Sequence, residues 1–224
     1  EWWYVNGYQD DFSFHVCVFK SLGKKILHFS MLDKEGYMCK EKLTSFDFTK
    51  EGEKLVYKFD NFLIKVKISK ILVTWPLEDL PGMYESDPNC KVEFIHDGVN
   101  KKLVGWYDNQ MLPSVIGSGW NWYGFRVGRK SFMVYDLFGE TSHGYIYSAG
   151  KVSSKKTLCK YYGGFGNNYP KYTKICIGEK NYMVKPVSYE TKFSSTFPIP
   201  KYFEGKVQIF EEGNLVGEGF QEFV

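Results

Sequence analysis

The sequence predicts an all-β protein of antiparallel hairpins rolled into barrels, and three observations carry that prediction. Apolar and polar residues alternate with a period of two along most of the chain, while helical periodicity is almost absent. Short turn-forming groups interrupt these runs at close intervals. Phe, Trp and Tyr make up 19% of the residues, a composition that suits pleated strands and large rigid walls.

The strand grammar is clearest in the stretch from Leu55 to Ile68. Phe62, Ile64, Val66 and Ile68 alternate with Lys65 and Lys67, which describes a half-buried strand. It follows Leu55 to Phe59 across Asp60-Asn61, a tight hairpin turn. Lys50-Glu51-Gly52-Glu53, His96-Asp97-Gly98, Gly128-Arg129-Lys130 and Glu211-Glu212-Gly213-Asn214 each separate two further apolar runs. Such a succession of hairpins builds a meander or a barrel. The segments Leu77 to Pro88 and Met111 to Ser118 read as polar, Pro-containing breaks. A boundary at the second gives two β lobes, residues 1–115 and 116–224. Gly163, Gly164 and Gly166 with Asn167 and Asn168 read as a flexible loop, because no helix follows to present amides to a phosphate. No GxGxxG or P-loop joins a strand to a helix, so nucleotide-binding folds have no support.

Charge and composition narrow the partners. The 29 basic and 26 acidic residues are interleaved to a net +3, which argues against nucleic acid. Lys24-Lys25 and Lys155-Lys156 read as turn-like, solubilising pairs. No apolar run approaches the roughly 20 residues of a membrane helix, so no integral membrane segment is expected. Five cysteines form an odd set without CxxC, which excludes a complete disulfide framework and suits reduced thiols in a cytoplasmic protein. Trp2 and Trp3 already read as structural, which leaves room for a leader removed ahead of Glu1. The four histidines make no metal-ligand set, and no cofactor is expected. Nothing in the sequence sets an oligomeric state.

Several separated segments then fall in one order: Glu1-Trp2-Trp3-Tyr4-Val5-Asn6-Gly7, Leu27-His28-Phe29-Ser30-Met31-Leu32-Asp33, Trp106-Tyr107-Asp108-Asn109-Gln110, Gly119-Trp120-Asn121-Trp122-Tyr123-Gly124, Tyr202-Phe203-Glu204-Gly205 and Gly217-Glu218-Gly219-Phe220-Gln221-Glu222. In that order they resemble the lipocalin-like family of carotenoid 1,2-hydratases (hydroxyneurosporene synthases) and its AttH relatives. The resemblance implies two calycin-type antiparallel barrels packed together, with a hydrophobic pocket. Its known members hydrate isoprenoid double bonds or promote intramolecular cycloaddition. The chain departs from the family pattern at Asn109, where a His is expected, and at Met111-Leu112, where Trp-Gly is expected. That departure weighs toward a carrier and against a hydratase.

Asp108 is the expected acid. It follows the aromatic strand Val104 to Tyr107, where a barrel mouth would set a carboxyl against an apolar ligand. A carboxyl buried in an apolar pocket keeps its proton and can give it to an alkene. The competing reading is an Asp that caps its own turn. His28 is the accessory candidate, with a hydrogen-bonded place in the barrel wall as the alternative. Trp106, Gln110, Trp120, Trp122 and Tyr123 are expected to line the ligand site, and indole faces would stabilise a carbocation. His15, His96, in a turn, and His143, in a polar loop, carry less weight. Asp136 interrupts the apolar face of Phe132, Val134 and Phe138 and needs a partner if buried. Glu1, Trp2, Tyr4, Glu204 and Glu222 read as structural ties, Glu1 toward a basic or amide partner across the lobe junction. Three readings follow. The protein is a cofactor-free hydratase, isomerase or cyclase of a lipophilic, isoprenoid- or polyketide-like molecule; a carrier or sensor of one; or a partner-binding scaffold whose interior is filled by its own rings.

Overall fold

A computed structural model describes residues 1–76, 82–111, 120–137, 141–165, 169–187, 191–193 and 202–223. Every described element is a strand, and the chain divides into two compact units, Glu1–Ser114 and Val115–Val224.

The first unit holds β1 (Trp2–Gln9), β2 (Phe12–Ser21), β3 (Lys24–Asp33), β4 (Gly36–Leu43), β5 (Asp47–Glu51), β6 (Lys54–Phe59), β7 (Phe62–Lys67), β8 (Val73–Thr74), β9 (Met83–His96) and β10 (Val99–Met111). They form one curled antiparallel sheet in the order β4-β3-β2-β1-β10-β9-β7-β6-β5, with β8 paired to β9 off that path. The sheet is open, with β4 and β5 as its edges. Its concave face collects the alternating apolar residues: Leu55, Tyr57 and Phe59 of β6 and Phe62, Ile64 and Val66 of β7 are buried. Phe29 anchors this core with ring centroids 4.6 Å from Phe62 and 5.0 Å from Phe59. Each such side chain contributes about 1.5–3 kcal/mol by leaving water.

The second unit holds β11 (Asn121–Val127), β12 (Lys130–Leu137), β13 (Thr141–Ser148), β14 (Lys151–Phe165), β15 (Tyr169–Ile177), β16 (Lys180–Pro186), β17 (Thr191–Phe193), β18 (Tyr202–Glu211) and β19 (Asn214–Phe223). Here β16 pairs with β18 as well as β15, and β11 pairs with β19. Eight strands thereby close into a barrel. Phe125 and Phe132 stack at 4.9 Å inside it, with Tyr182, Val184, Ile175, Val207 and Ile209 around them.

The hairpin turns expected at Lys50–Glu53, Asp60-Asn61, Asp97-Gly98, Gly128-Arg129 and Glu212-Gly213 are all present. Asp97 and Gly98 both have positive φ, as do Glu212 and Gly213, the left-handed pair that matches strand twist in two-residue loops.

Other expectations need correction. Met83 to Pro88 is not a break but the start of β9; residues 77–81 lie outside the described residues. Between Cys90↔Gly105 and Asp87↔Tyr107 the ladder slips, so Pro88 and Asn89 together oppose Trp106. A bulge tolerates a proline because no ladder N–H is needed there. Of the second break, Met111 ends β10 and the rest lies outside the described residues. Lys155-Lys156 sits inside β14 and Lys24-Lys25 opens β3, so neither pair is a turn. The turn ahead of β14 is Ala149-Gly150 instead, with φ of 51° and 78°. Gly163 and Gly164 also belong to β14, where pairing to β15 extends the strand, while residues 166–168 lie outside. His96 closes β9 and stacks on Phe62 at 3.9 Å. His143 lies in β13, stacked on Tyr135 at 4.8 Å, because ring packing holds both in strands. Among the described residues no helix is long and apolar enough to cross a membrane.

Candidate functional site

The side chains singled out in the first unit gather on the sheet face opposite the apolar core. In β10 the alternation sends Tyr107 into that core and turns Trp106, Asp108 and Gln110 the other way. Asp108 therefore stands three residues short of the end of β10, within the sheet and behind its core. It occupies neither a strand end nor a barrel mouth, because the strand continues to Met111.

Strand register aligns this face into rows. One row runs Ser86 (β9), Asp108 (β10), Tyr4 (β1), Cys17 (β2), His28 (β3). The next runs Trp106, Asn6, His15, Ser30, Cys39. Gln110 pairs with Trp2 and Tyr84 in a third, where it is half-buried.

Asp108 is 5% exposed and the focus of a hydrogen-bond network. Trp106 Nε1 donates to its Oδ1 at 2.6 Å, the Ser86 hydroxyl donates to the same oxygen, and the Tyr84 hydroxyl donates to Oδ2 at 2.8 Å. Trp75 Nε1 in turn donates to Ser86 Oγ at 2.7 Å, and the two indoles stack nearly parallel, 6.0 Å apart. An indole N–H only donates, so Oδ1 is held as an acceptor. Any proton carried by this carboxyl therefore resides on Oδ2, facing Tyr84. These side-chain donors exclude the turn-capping alternative.

His28 is on the same face but three strands from Asp108, roughly 14 Å at normal strand spacing. Its ring meets Phe19 edge-on at 5.3 Å, a place in the sheet wall. His15 lies nearer, in the row beside Asp108. Its Nδ1 is 2.9 Å from Ser30 Oγ, and its ring stacks over Tyr4, whose hydroxyl accepts from Asn6 Nδ2 at 3.1 Å. Burial, reinforced by His28, lowers His15 to about 3, so the imidazole is neutral at physiological pH. Asn109 points to the core side and binds the chain start, donating to Trp2 O at 2.9 Å and Glu1 Oε1 at 3.5 Å. Glu1 thus finds its amide partner within its own unit.

Trp120, Trp122 and Tyr123 belong to the second unit. Trp122 is buried on the outer face of β11, while Tyr123 points into the barrel and donates to Thr173 Oγ1 at 2.9 Å. Trp120 Nε1 donates to Glu222 Oε2 at 3.1 Å. Glu222 is half-buried, and enclosure of its carboxyl raises it to about 7 even with that hydrogen bond lowering it. Asp136 is buried inside the barrel and has the partners it needs: Ser142 Oγ donates at 2.9 Å and the Tyr161 hydroxyl donates to the other oxygen. Burial, Cys159 and Asp136 together push the Tyr161 phenol up.

Tyr84, Ser86 and Trp75 are the members that sequence reasoning missed, and His15 is one to which it gave less weight than His28. Tyr84 and Ser86 alternate correctly for a strand face, but Pro88 two residues on disguised them as a break. His15 alternates with Ser13 and Cys17 in the same way. Among the described residues, no group of three or more His, Cys, Asp or Glu is arranged to hold a metal ion.

No family profile and no curated protein matches the chain. Solved structures share its fold, two of them as follows. An AttH-type protein of Nitrosomonas europaea superposes with a TM-score of 0.81 at 16% identity, covering 100% of this chain and 91% of its own. Kievitone hydratase of Nectria haematococca superposes with a TM-score of 0.79 at 14% identity, covering 100% and 88%.

Proposed function

We propose that this protein binds a lipophilic small molecule of isoprenoid or polyketide type and acts on it by cofactor-free acid catalysis, with Asp108 as the acid. One observation carries the reading: a buried carboxyl in a ring of aromatic residues, with Oδ1 pinned by Trp106 and Ser86 and Oδ2 left facing a phenol. The likeness in fold to a hydratase supports the same class of reaction. In the forward step Oδ2 gives its proton to an alkene carbon and a cation forms at the neighbouring carbon. Water adds to that cation in hydration, a second double bond adds in cyclisation, and loss of a different proton gives isomerisation. The proton released from the adduct returns to Asp108, which balances the cycle. The indoles of Trp106 and Trp75 offer electron-rich faces to positive charge.

Turnover of a candidate alkene by the Asp108→Asn protein is the test. The amide keeps the shape but has no acidic proton, so turnover falls by the 100- to 10,000-fold typical of general acid loss, roughly, while ligand affinity stays. Undiminished turnover removes Asp108 from the mechanism. A carrier is the second reading. It is favoured by Asn109, which occupies the expected His position and whose amide is engaged in holding Trp2 and Glu1. Retention of a co-purifying lipophile without conversion favours that reading.

A further inference from the structure

The outer wall of β14, β15 and β16 is unusual in charge. Residues 151–186 contain eight lysines, at positions 151, 155, 156, 160, 171, 174, 180 and 185, and one acid, Glu179. All eight lysines are exposed, and strand alternation turns four of them, Lys156, Lys160, Lys174 and Lys185, onto the outer wall. Lys180 is neutralised by Glu211 at 2.5 Å. Lys156, Lys160 and Lys174 have no ion-pair partner among the described residues, and the register sets Lys160 directly opposite Lys174. Directly opposed like charges weaken a sheet, and a face that serves only solubility intersperses both signs. This wall opposes like charges and leaves the signs unmixed.

The same wall carries outward rings and apolar groups. Ile175 and Ile177 of β15 point into the barrel, so Lys174 and Cys176 point out. Leu158, opposite Cys176, is 51% exposed. Tyr162 and Tyr172 stack in parallel at 4.9 Å, and Lys174 Nζ lies 5.2 Å from the Tyr162 ring centre. On the next strand Lys185 Nζ lies 4.8 Å from the ring centre of Phe210.

We propose that this wall docks on an anionic phospholipid surface. Lysine ammoniums gain about 1 kcal/mol each next to an acidic bilayer, and Tyr with an exposed Leu suits the headgroup boundary. A single-stranded nucleic acid is the poorer fit. Bases need open ring faces to stack on, whereas Tyr162 presents one face to Tyr172 and another contact to Lys174. The first unit also has a row of opposed lysines, Lys54, Lys67 and Lys91. There the adjoining row contains Glu93, which pairs with Lys65 at 3.1 Å and mixes the signs on that face. The proposal is independent of the role of Asp108; it adds a place where a protein for lipid-soluble molecules meets their solvent.

Flotation of the full chain with phosphatidylcholine vesicles, with and without phosphatidylglycerol, tests it. Binding is expected only with phosphatidylglycerol and should fall steeply with salt. Lys156→Glu, Lys160→Glu and Lys174→Glu together should lower partition by about a hundredfold, with an unchanged far-ultraviolet dichroism spectrum. Lys54→Glu, Lys67→Glu and Lys91→Glu together should leave it nearly intact. Absence of binding, equal binding to neutral vesicles, loss confined to the first-unit variant, or tighter binding to a single-stranded oligonucleotide would each overturn the proposal.

Discussion

His15 and Glu222 show how burial converts ordinary side chains into pH-dependent ones. His15 has its folded value depressed to about 3, from 6.5. Below pH ~6.5 the unfolded chain takes a proton that the folded one refuses, so acid favours unfolding at about 1.4 kcal/mol per pH unit until about pH 3. Glu222 has the opposite sign. Its folded value of about 7 exceeds the ordinary 4.5, so its contribution is full below about 4.5 and disappears as pH rises through 7. Urea unfolding from pH 7 to 4 should thus be flat to about 4.5 and fall below it. His15→Gln should remove the acid loss, and Glu222→Gln the loss toward pH 7. Tyr84→Phe deletes a donor to a buried carboxyl and should cost about 2 kcal/mol in the same assay. An unchanged midpoint would mean that Tyr84 does not hold Asp108.

Strands β9 and β10 show why the site is hard to see in advance. Asp108, Trp106 and Gln110 were legible through the family resemblance of the segment Trp106 to Gln110, and alternation along β10 puts all three on one face. Tyr84 and Ser86 were not, since Pro88 looks like a terminator until a bulge absorbs it. The bulge is a property of two strands together. Gly105 adjoins it, and a Cβ there would lie 2.2 Å from Asn6 O and 2.9 Å from Val92 Cγ2. Backbone cannot yield as a side chain can, so Gly105→Ala should destabilise by about 3 kcal/mol and disturb the Trp106–Asn6 row. A crystal structure or a tryptophan emission spectrum identical to the parent's would contradict this.

The two units solve the problem of sheet edges differently. The second closes its ring through β16–β18 and β11–β19, whereas the first leaves β4 and β5 open. A strand bonded on both sides must break two ladders to expose its amides, and an edge strand only one. Hydrogen exchange should therefore be slowest in β1, β10, β11 and β19 and fastest in β4 and β5. Equal protection across the first sheet would show that its edges are covered. The amount of β structure and the hairpin positions were readable beforehand; the openness of one unit was not, because closure depends on whether distant strands meet.

The sequence by itself determined the strands, most of their turns and which residues share a face, because side-chain direction alternates strictly along an extended backbone. It also pointed to Asp108. Only the tertiary structure decided what stands beside that carboxyl: Tyr84, Ser86, Trp106 and Trp75 come together through register, a bulge and burial. Those depend on pairing between segments remote in the chain, and no local pattern encodes them.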